Sequence, residues 1–150
     1  MSGFLGEYEV TLDAKGRFLV PTDLKRQIGE ENSRFVMNRG FDRCLVLYPI
    51  KTWEPLFEKV STLNQFDPKV RAFRRFFLNG ATPVEYDSAG RLLVPQGLKE
   101  YAGLEKEIIL ATDVDKIEVW DKSKHKQLFE TFSPDDYSKF AGEVMGNTNN

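Results

Sequence analysis

The sequence predicts an α+β fold made by internal duplication, and three observations carry that prediction. The stretch "LDAKGRFLVP" at residues 12 to 21 returns as "YDSAGRLLVP" at residues 86 to 95. At that offset of 74, Asp13, Gly16, Arg17, Leu19, Val20, Pro21, Leu24 and Lys25 meet Asp87, Gly90, Arg91, Leu93, Val94, Pro95, Leu98 and Lys99. The offset then slips to 73, so that "FVMNRGFDRCLVLYP" (35 to 49) aligns with "IILATDVDKIEVWDK" (108 to 122). Asp42 falls on Asp115, Arg43 on Lys116 and Val46 on Val119. Finally, short alternating strands, glycine turns and proline-started helices follow one another in the same order in both copies. A repeat of this period is one supersecondary unit that buries its apolar face against its copy.

In the first copy, "EYEVTL" places Tyr8, Val10 and Leu12 on one face by period-two alternation. "DAKG" is a turn, with Asp13 at its first position and Gly16 free to take positive φ. "RFLV" is the returning strand. Pro21 suits the first position of the helix "TDLKRQI", where its missing N–H costs nothing, and Gly29 is expected as its left-handed cap. "RFVMN" and "CLVLY" form a second hairpin around "RGFDR". Pro49 then starts a helix with Trp53, Leu56, Phe57, Val60 and Leu63 on one stripe.

The second copy repeats the scheme. "TPVEY" and "RLLVP" flank "DSAG", and "QGLKEYAG" is its short helix. "EIILAT" and "IEVWD" flank "DVDK", and the helix "SKHKQLFETF" follows. "SPDDYSKFAG" adds a last short helix before a tail, "EVMGNTNN", expected to fray. Between the copies, "DPKVRAFRRFFLNG" has Asp67 as N-cap, Pro68 at the first helical position and Gly80 at its close. Val70, Phe73 and Phe77 share one face; Arg71, Arg74 and Arg75 share another. The chain thus divides into a first repeat with its following helix (1–66), a basic connecting helix (67–80), a second repeat with its following helix (81–133), and a short helix with tail (134–150). Each copy has only four short strands and open edges, which predicts strands of both halves interleaved in a shared barrel. That arrangement sets the two Gly-Arg turns near a pseudo-twofold axis.

Composition narrows the function. Hydrophobic residues at 41% with twelve phenylalanines fit a packed core rather than a disordered chain. No apolar run approaches the roughly 20 residues of a bilayer span, and "MSGFLGEYEV" lacks the basic and apolar regions of a secretory signal. A single cysteine, Cys44, permits no internal disulfide and suits a reducing cytoplasm; it is expected to pack as a small hydrophobe. With one His and one Cys there is no metal-ligand spacing, and His125 is expected to be solvated on a lysine-rich helix. No phosphate-cradling loop, nucleophile elbow or paired-carboxylate motif is present, so neither catalytic residue, metal, cofactor nor small-molecule substrate is expected. The net charge of -2 argues against a basic monomer that wraps DNA, but permits cations gathered on one face.

The paired "DAKGRFLVP" and "DSAGRLLVP" units, with the opening "FLGEYEVTLDAKGRFLVP", resemble the MraZ family of bacterial transcriptional regulators with two SpoVT-AbrB-type domains. The resemblance spans nearly the whole chain. It implies tandem duplicated AbrB-like, swapped-hairpin β-barrel halves forming an intramolecular pseudo-dimer with flanking helices. It also implies cytoplasmic, nucleoid-associated location and assembly of a homo-oligomer into rings. The implied partner is double-stranded DNA carrying short tandem boxes upstream of a cell-division and cell-wall gene cluster.

That family's Asp-x-x-x-Arg element falls on Asp13 and Arg17 and on Asp87 and Arg91. Arg17 and Lys15 are the first candidates for DNA contact, because the planar guanidinium fork suits a phosphate or a guanine edge and the glycine permits close approach. Arg91 assists, in a turn where Ala89 replaces the lysine. Asp13, Gly16, Asp87 and Gly90 are assigned to bracing the turns. Lys25 and Arg26 either extend the patch or form a solvated helix face. Arg71, Arg74 and Arg75 either bind phosphate or pair with acidic groups of a neighbouring subunit. The alternative function is an AbrB-fold module that binds a protein, as antitoxins do. An acidic C-terminal tail able to cover a toxin would favour it, but the last eight residues, "EVMGNTNN", hold a single charge.

Overall fold

The computed structural model describes residues 3–146. The first half runs β1 (Glu7–Thr11), β2 (Arg17–Leu19), α1 (Thr22–Ile28), β3 (Arg34–Arg39), β4 (Leu45–Pro49), α2 (Ile50–Ser61) and α3 (Pro68–Gly80). The second runs β5 (Thr82–Glu85), β6 (Arg91–Leu93), α4 (Gln96–Ala102), β7 (Glu107–Asp113), β8 (Lys116–Asp121), α5 (Lys122–Glu130) and α6 (Pro134–Gly146). Prolines 21 and 49 stand one place before their helices rather than at the first helical position. Their φ of -57° and -55° still directs the chain into the first turn. Gly29 closes α1 with φ 95° and an extended ψ of 144°, outside the left-handed cap region that Gly103 occupies after α4.

The two halves exchange their first strands. Six strands form one antiparallel sheet in the order β1-β7-β8-β4-β3-β5, and β2 pairs with β6 in a separate ribbon. β1 of the first half lies on β7 of the second with Val10 opposite Ile108; β5 returns the favour on β3 with Val84 opposite Phe35. The interleaving predicted from the open edges is therefore present, but no closed barrel forms among the described residues. A two-stranded ribbon lies apart from the open six-stranded sheet instead.

The strand registers describe a pseudo-twofold relation and correct the sequence alignment. Equivalent strands are offset by 74 in β1/β5, by 73 in β3/β7 and by 72 in β4/β8, since Leu45 opposes Val119 while Leu47 opposes Ile117. The second slip lies in the hairpin loops. Phe41–Arg43 separates the Gly40 and Cys44 pair, whereas only Val114 and Asp115 separate Asp113 from Lys116. Arg43 takes φ 59°, as the last residue of a three-residue hairpin loop does. Val46 is thus not the equivalent of Val119. A one-residue shift moves a strand residue to the opposite face, and Val46 faces the helices while Val119 faces the central core.

That core is drawn evenly from both halves: Phe18 with Leu92, Val20 with Val94, Leu24 with Leu98, Met37 with Leu110, Leu47 with Val119. A second cluster exists in the first half alone. There α2 and α3 cover Val36, Val46 and Tyr48, and Phe77 stacks on Trp53 at 5.6 Å between ring centroids. On the expected α2 stripe only Trp53 and Val60 are buried; Phe57 and Leu63 remain exposed. α3 is capped as expected, with Asp67 Oδ1 accepting from Lys69 N at 2.9 Å, and its face of Val70, Phe73 and Phe77 buries only the last.

Two expectations fail in the second half. His125 is not solvated: it is 8% exposed, seated between Trp120 and Phe129, with Nε2 3.4 Å from Glu7 Oε2. At the offset of 72 that relates β4 to β8, its place is that of Trp53, which explains the burial. The segment "EVMG" does not fray; it completes α6, which begins with Ser133 Oγ accepting from Asp136 N and Asp136 Oδ2 accepting from Ser133 N. Residues 147–150 of the expected tail lie outside the described residues. Cys44 is buried beside β4, and burial pushes its thiol up to about 12.

Phe18 and Leu92 face each other where the ribbon crosses the pseudo-axis, at 1% and 0% exposure. Leu92→Ala is expected to cost about 2–5 kcal/mol, whereas Leu93→Ala, on the exposed side of the same strand, is expected to stay within about 0.5 kcal/mol. Chemical denaturation of the two variants checks the difference.

Candidate nucleic-acid interface

The two Gly-Arg turns are built alike, atom for atom. In the first, Asp13 Oδ1 accepts from Lys15 N and Arg17 N, each at 2.9 Å, and Oδ2 accepts from Arg17 Nε at 2.9 Å. The Asp13 carbonyl accepts from Gly16 N, and Asp13 N donates to the Arg17 carbonyl. In the second, Asp87 Oδ1 accepts from Ala89 N and Arg91 N at 2.9 Å, and Oδ2 from Arg91 Nε at 2.8 Å. Gly16 and Gly90 sit at φ 83° and 81°, where a side chain would be strained. One carboxylate thus ties three donors and closes the loop, the local turn chemistry for which Asp is favoured.

These bonds hold both carboxyls below the usual aspartate range. The largest cause is the hydrogen bond from the arginine backbone N–H, Arg17 for Asp13 and Arg91 for Asp87. The aspartates therefore brace the turns. They also orient the arginines without consuming them. A guanidinium carries five N–H donors, and only Nε is engaged, so the terminal nitrogens of Arg17 and Arg91 make no protein hydrogen bond among the described residues.

Ribbon pairing brings the arginines together. Arg17 opposes Leu93 and Arg91 opposes Leu19, so all four side chains share the face opposite buried Phe18 and Leu92. The arginines occupy one diagonal, about 7–8 Å apart by cross-strand geometry. Leu19 and Leu93 occupy the other, at 57% and 52% exposure. The alternation of Arg17, Phe18 and Leu19 already contained these exposed leucines, yet sequence reading singled out the arginines alone.

The other candidate cations separate. Lys15 is exposed at the tip of the first turn. Lys25 of the first half reaches the second turn: its Nζ lies 4.8 Å from the Tyr86 ring centroid and 3.3 Å from where a Cβ on Gly90 would be. Lys25 thus restores beside the second turn the cation that Ala89 lacks. Tyr86 stands where the first half has Leu12, so Lys99, the equivalent of Lys25, has no matching ring. Sequence reading missed Tyr86 because the contact joins different halves. Arg26 pairs with Asp23 at 3.3 Å on a face exposed by more than 70% on both sides, and adds little to the patch. Arg71, Arg74 and Arg75 lie elsewhere, lining a shallow groove with Gln65, Phe66 and Asn79; Arg71 Nη1 donates to the Gln65 carbonyl. Among the described residues no group of His, Cys, Asp or Glu could hold a metal ion, and no helix is long and apolar enough to cross a membrane.

An α+β chain whose two halves exchange strands and each carry an aspartate-braced arginine turn belongs to the class of internally duplicated swapped-strand proteins. The family model described as "MraZ protein, putative antitoxin-like" matches twice, over residues 4–76 and 77–144. A protein of Christiangramia forsetii named "Transcriptional regulator MraZ" is 44% identical over 98% of this chain and 96% of its own length. Proteins of the same name from Acetivibrio thermocellus and Flavobacterium psychrophilum are 44% and 39% identical, over 89% and 99% of the chain and 88% and 96% of their own lengths. The chain belongs to the MraZ family.

Both turn carboxylates carry depressed values, so their bracing is complete above the ordinary aspartate range and is lost as pH falls through the lowered values. Carboxyl-carbon NMR titration should find Asp13 and Asp87 below 3.8, and Arg17→Ala or Arg91→Ala should move the aspartate of its own turn upward.

Proposed function

We propose that this protein is a DNA-binding transcriptional regulator that reads short tandem boxes with the outer face of the β2–β6 ribbon. Its location would be the cytoplasm, on the nucleoid. The observation that carries the reading is the pair of braced arginines whose terminal nitrogens point to no protein acceptor. The neighbouring carboxylate lowers the net charge of each turn, which weakens it as a phosphate clamp. It also locks the guanidinium fork in one orientation, which suits bidentate contact with guanine O6 and N7, worth about 1–3 kcal/mol of discrimination each. Lys15 and Lys25, not tied to carboxylates, supply the phosphate contacts. Arg17 with Lys15 carries most of the binding; Arg91 with Lys25 assists. The relatives' shared name, transcriptional regulator, supports the assignment.

A chain of net charge -2 that offers two arginines and two lysines holds a duplex weakly by itself. Repetition of the patch around a homo-oligomeric ring provides the remedy. Linked weak contacts gain about 10²–10⁴ in avidity when site spacing matches. This is why the target is a set of tandem boxes, which we place upstream of a cell-division and cell-wall gene cluster.

Arg17→Ala with Lys15→Ala is expected to abolish binding to DNA upstream of the protein's own gene, with oligomer size unchanged. The melting temperature should barely move, since a part-exposed ion pair contributes about 0–1 kcal/mol. Lys25→Ala should reduce the slope of log affinity against log salt by about 0.9. Mobility shifts on one box and on the tandem array, at two salt concentrations, test the scheme; equal affinity for both would defeat the avidity account.

A further inference from the structure

The face of the β2–β6 ribbon that carries the arginines also carries two leucines that the core does not use. Leu19 and Leu93 are both more than half exposed, while the intervening Phe18 and Leu92 fill the interior. Single exposed apolar residues are common on protein surfaces. Here two stand on one small face, and they persist where their neighbours change. The exposed positions around them differ between the copies: Lys15 against Ala89, Thr22 against Gln96, Asp23 against Gly97. Both copies nevertheless hold leucine, at 19 and at 93.

Each leucine is fixed against the turn of the opposite half. Val94 N donates to the Gly16 carbonyl at 2.8 Å, which ties the backbone next to Leu93 to the first turn. Val20 N donates to the Gly90 carbonyl at 3.5 Å in the reciprocal position. A Cβ on Gly16 would stand 3.9 Å from Leu93 Cδ1, and one on Gly90 would stand 3.8 Å from Leu19 Cδ1. Strand pairing sets Arg17 directly opposite Leu93 and Arg91 directly opposite Leu19. The ribbon face thus consists of two composite units, each an arginine from one half beside a leucine from the other. In each unit an aspartate holds the arginine, and the ribbon holds the leucine.

We propose that Leu19 and Leu93 are specificity-determining residues that read thymine, each packing on the C5-methyl of a thymine near the guanine taken by the arginine of its unit. This rests on the DNA reading above and extends it to a second base. The major groove admits a two-stranded β-ribbon, and the thymine methyl is the apolar group on its base edges. Directly opposite residues have Cβ atoms about 4.5–5.5 Å apart, against about 3.4 Å for one base step. The thymine therefore lies about one or two base pairs from the guanine. A leucine has neither donor nor acceptor to offer a phosphate or the polar edges of the other bases. Set among cations on a base-reading face, it gains where it displaces water from another apolar group.

The test deletes the methyl from the DNA and its contact from the full-length protein. DNA upstream of the protein's own gene is amplified once with thymidine triphosphate and once with deoxyuridine triphosphate, so that the two duplexes differ in the C5-methyls alone. Mobility shifts compare the wild type, Leu93→Ala, and the double variant Leu19→Ala with Leu93→Ala on both duplexes. The wild type is expected to bind the uracil duplex more weakly by about fourfold for each methyl buried. Leu93→Ala should keep part of that difference and the double variant none, as a double-mutant cycle requires of groups in contact. Melting curves should stay close to that of the wild type, because neither side chain is buried. Equal wild-type affinity for the two duplexes overturns the role of the leucines and spares the arginine contacts. A double variant that still prefers thymine overturns it too, by placing the methyl effect in the shape of the DNA. Loss of all binding by the variants even at low salt also overturns it, by making the leucines part of the ribbon's framework. A wild type that binds neither duplex sinks this proposal together with the DNA reading.

Discussion

Everything in this molecule depends on one constraint: neither half can finish its own sheet. The outer edges of β3 and β7 carry unpaired backbone N–H and C=O groups, and in each case the missing partner is the first strand of the other half. An open edge is a template for unwanted pairing, and the exchange pairs both of these edges at once, so that the sheet ends on β1 and β5 instead. The exchange also sets the ribbon. Once β1 is committed to β7 and β5 to β3, the chain segments that follow, β2 and β6, meet antiparallel at Phe18 and Leu92. The arginine-bearing face of the ribbon is thus a by-product of edge satisfaction. Two arginines 74 positions apart in sequence become diagonal neighbours because their strands have nowhere else to pair.

Much of this was legible beforehand, and the limits are instructive. The repeated Asp-x-x-Gly-Arg identified both turns, and open edges implied interleaved halves. The closed barrel did not follow, because alternation reports which face of a strand is buried and says nothing of where a sheet stops. The alignment drifted at the second hairpin for a related reason. Asp42 and Asp115 look equivalent, so the three-residue and two-residue loops were aligned as one, and Val46 was set against Val119. Strand parity catches the error at once, since β8 must keep Ile117 and Val119 inward to match Leu45 and Leu47. His125 departs from expectation for a different reason: its lysine neighbours suggest solvent, while the offset of 72 puts it at the position of a buried tryptophan. Composition around a residue is weaker information than its place in the repeat.

Duplication also explains where symmetry is kept and where it lapses. Most core positions recur in both halves, because both fill one interior and a misfit on either side is felt by the other. The turns match because a single Asp-Gly-Arg chemistry closes each. Away from these shared constraints the copies diverge. Ala89 replaces Lys15, and Tyr86 replaces Leu12 and draws Lys25 across from the first half. The result is two turns alike in shape but fed differently with charge: the first carries its lysine in the loop, the second borrows one from α1.

The divergence of α3 and α6 follows the same logic taken outward. Residues 62–67 let α3 return over the sheet, where Phe77 stacks on Trp53, whereas residues 131–133 only turn the chain and leave α6 beside the end of α5. The equivalent positions of the second half are buried all the same: Trp120 and His125 are 5% and 8% exposed, against 7% and 8% for Tyr48 and Trp53. There Phe129 of the following helix packs on His125, and Glu7 of the exchanged strand β1 lies against it. Burial is thus kept at equivalent positions of the repeat while the element that provides it changes.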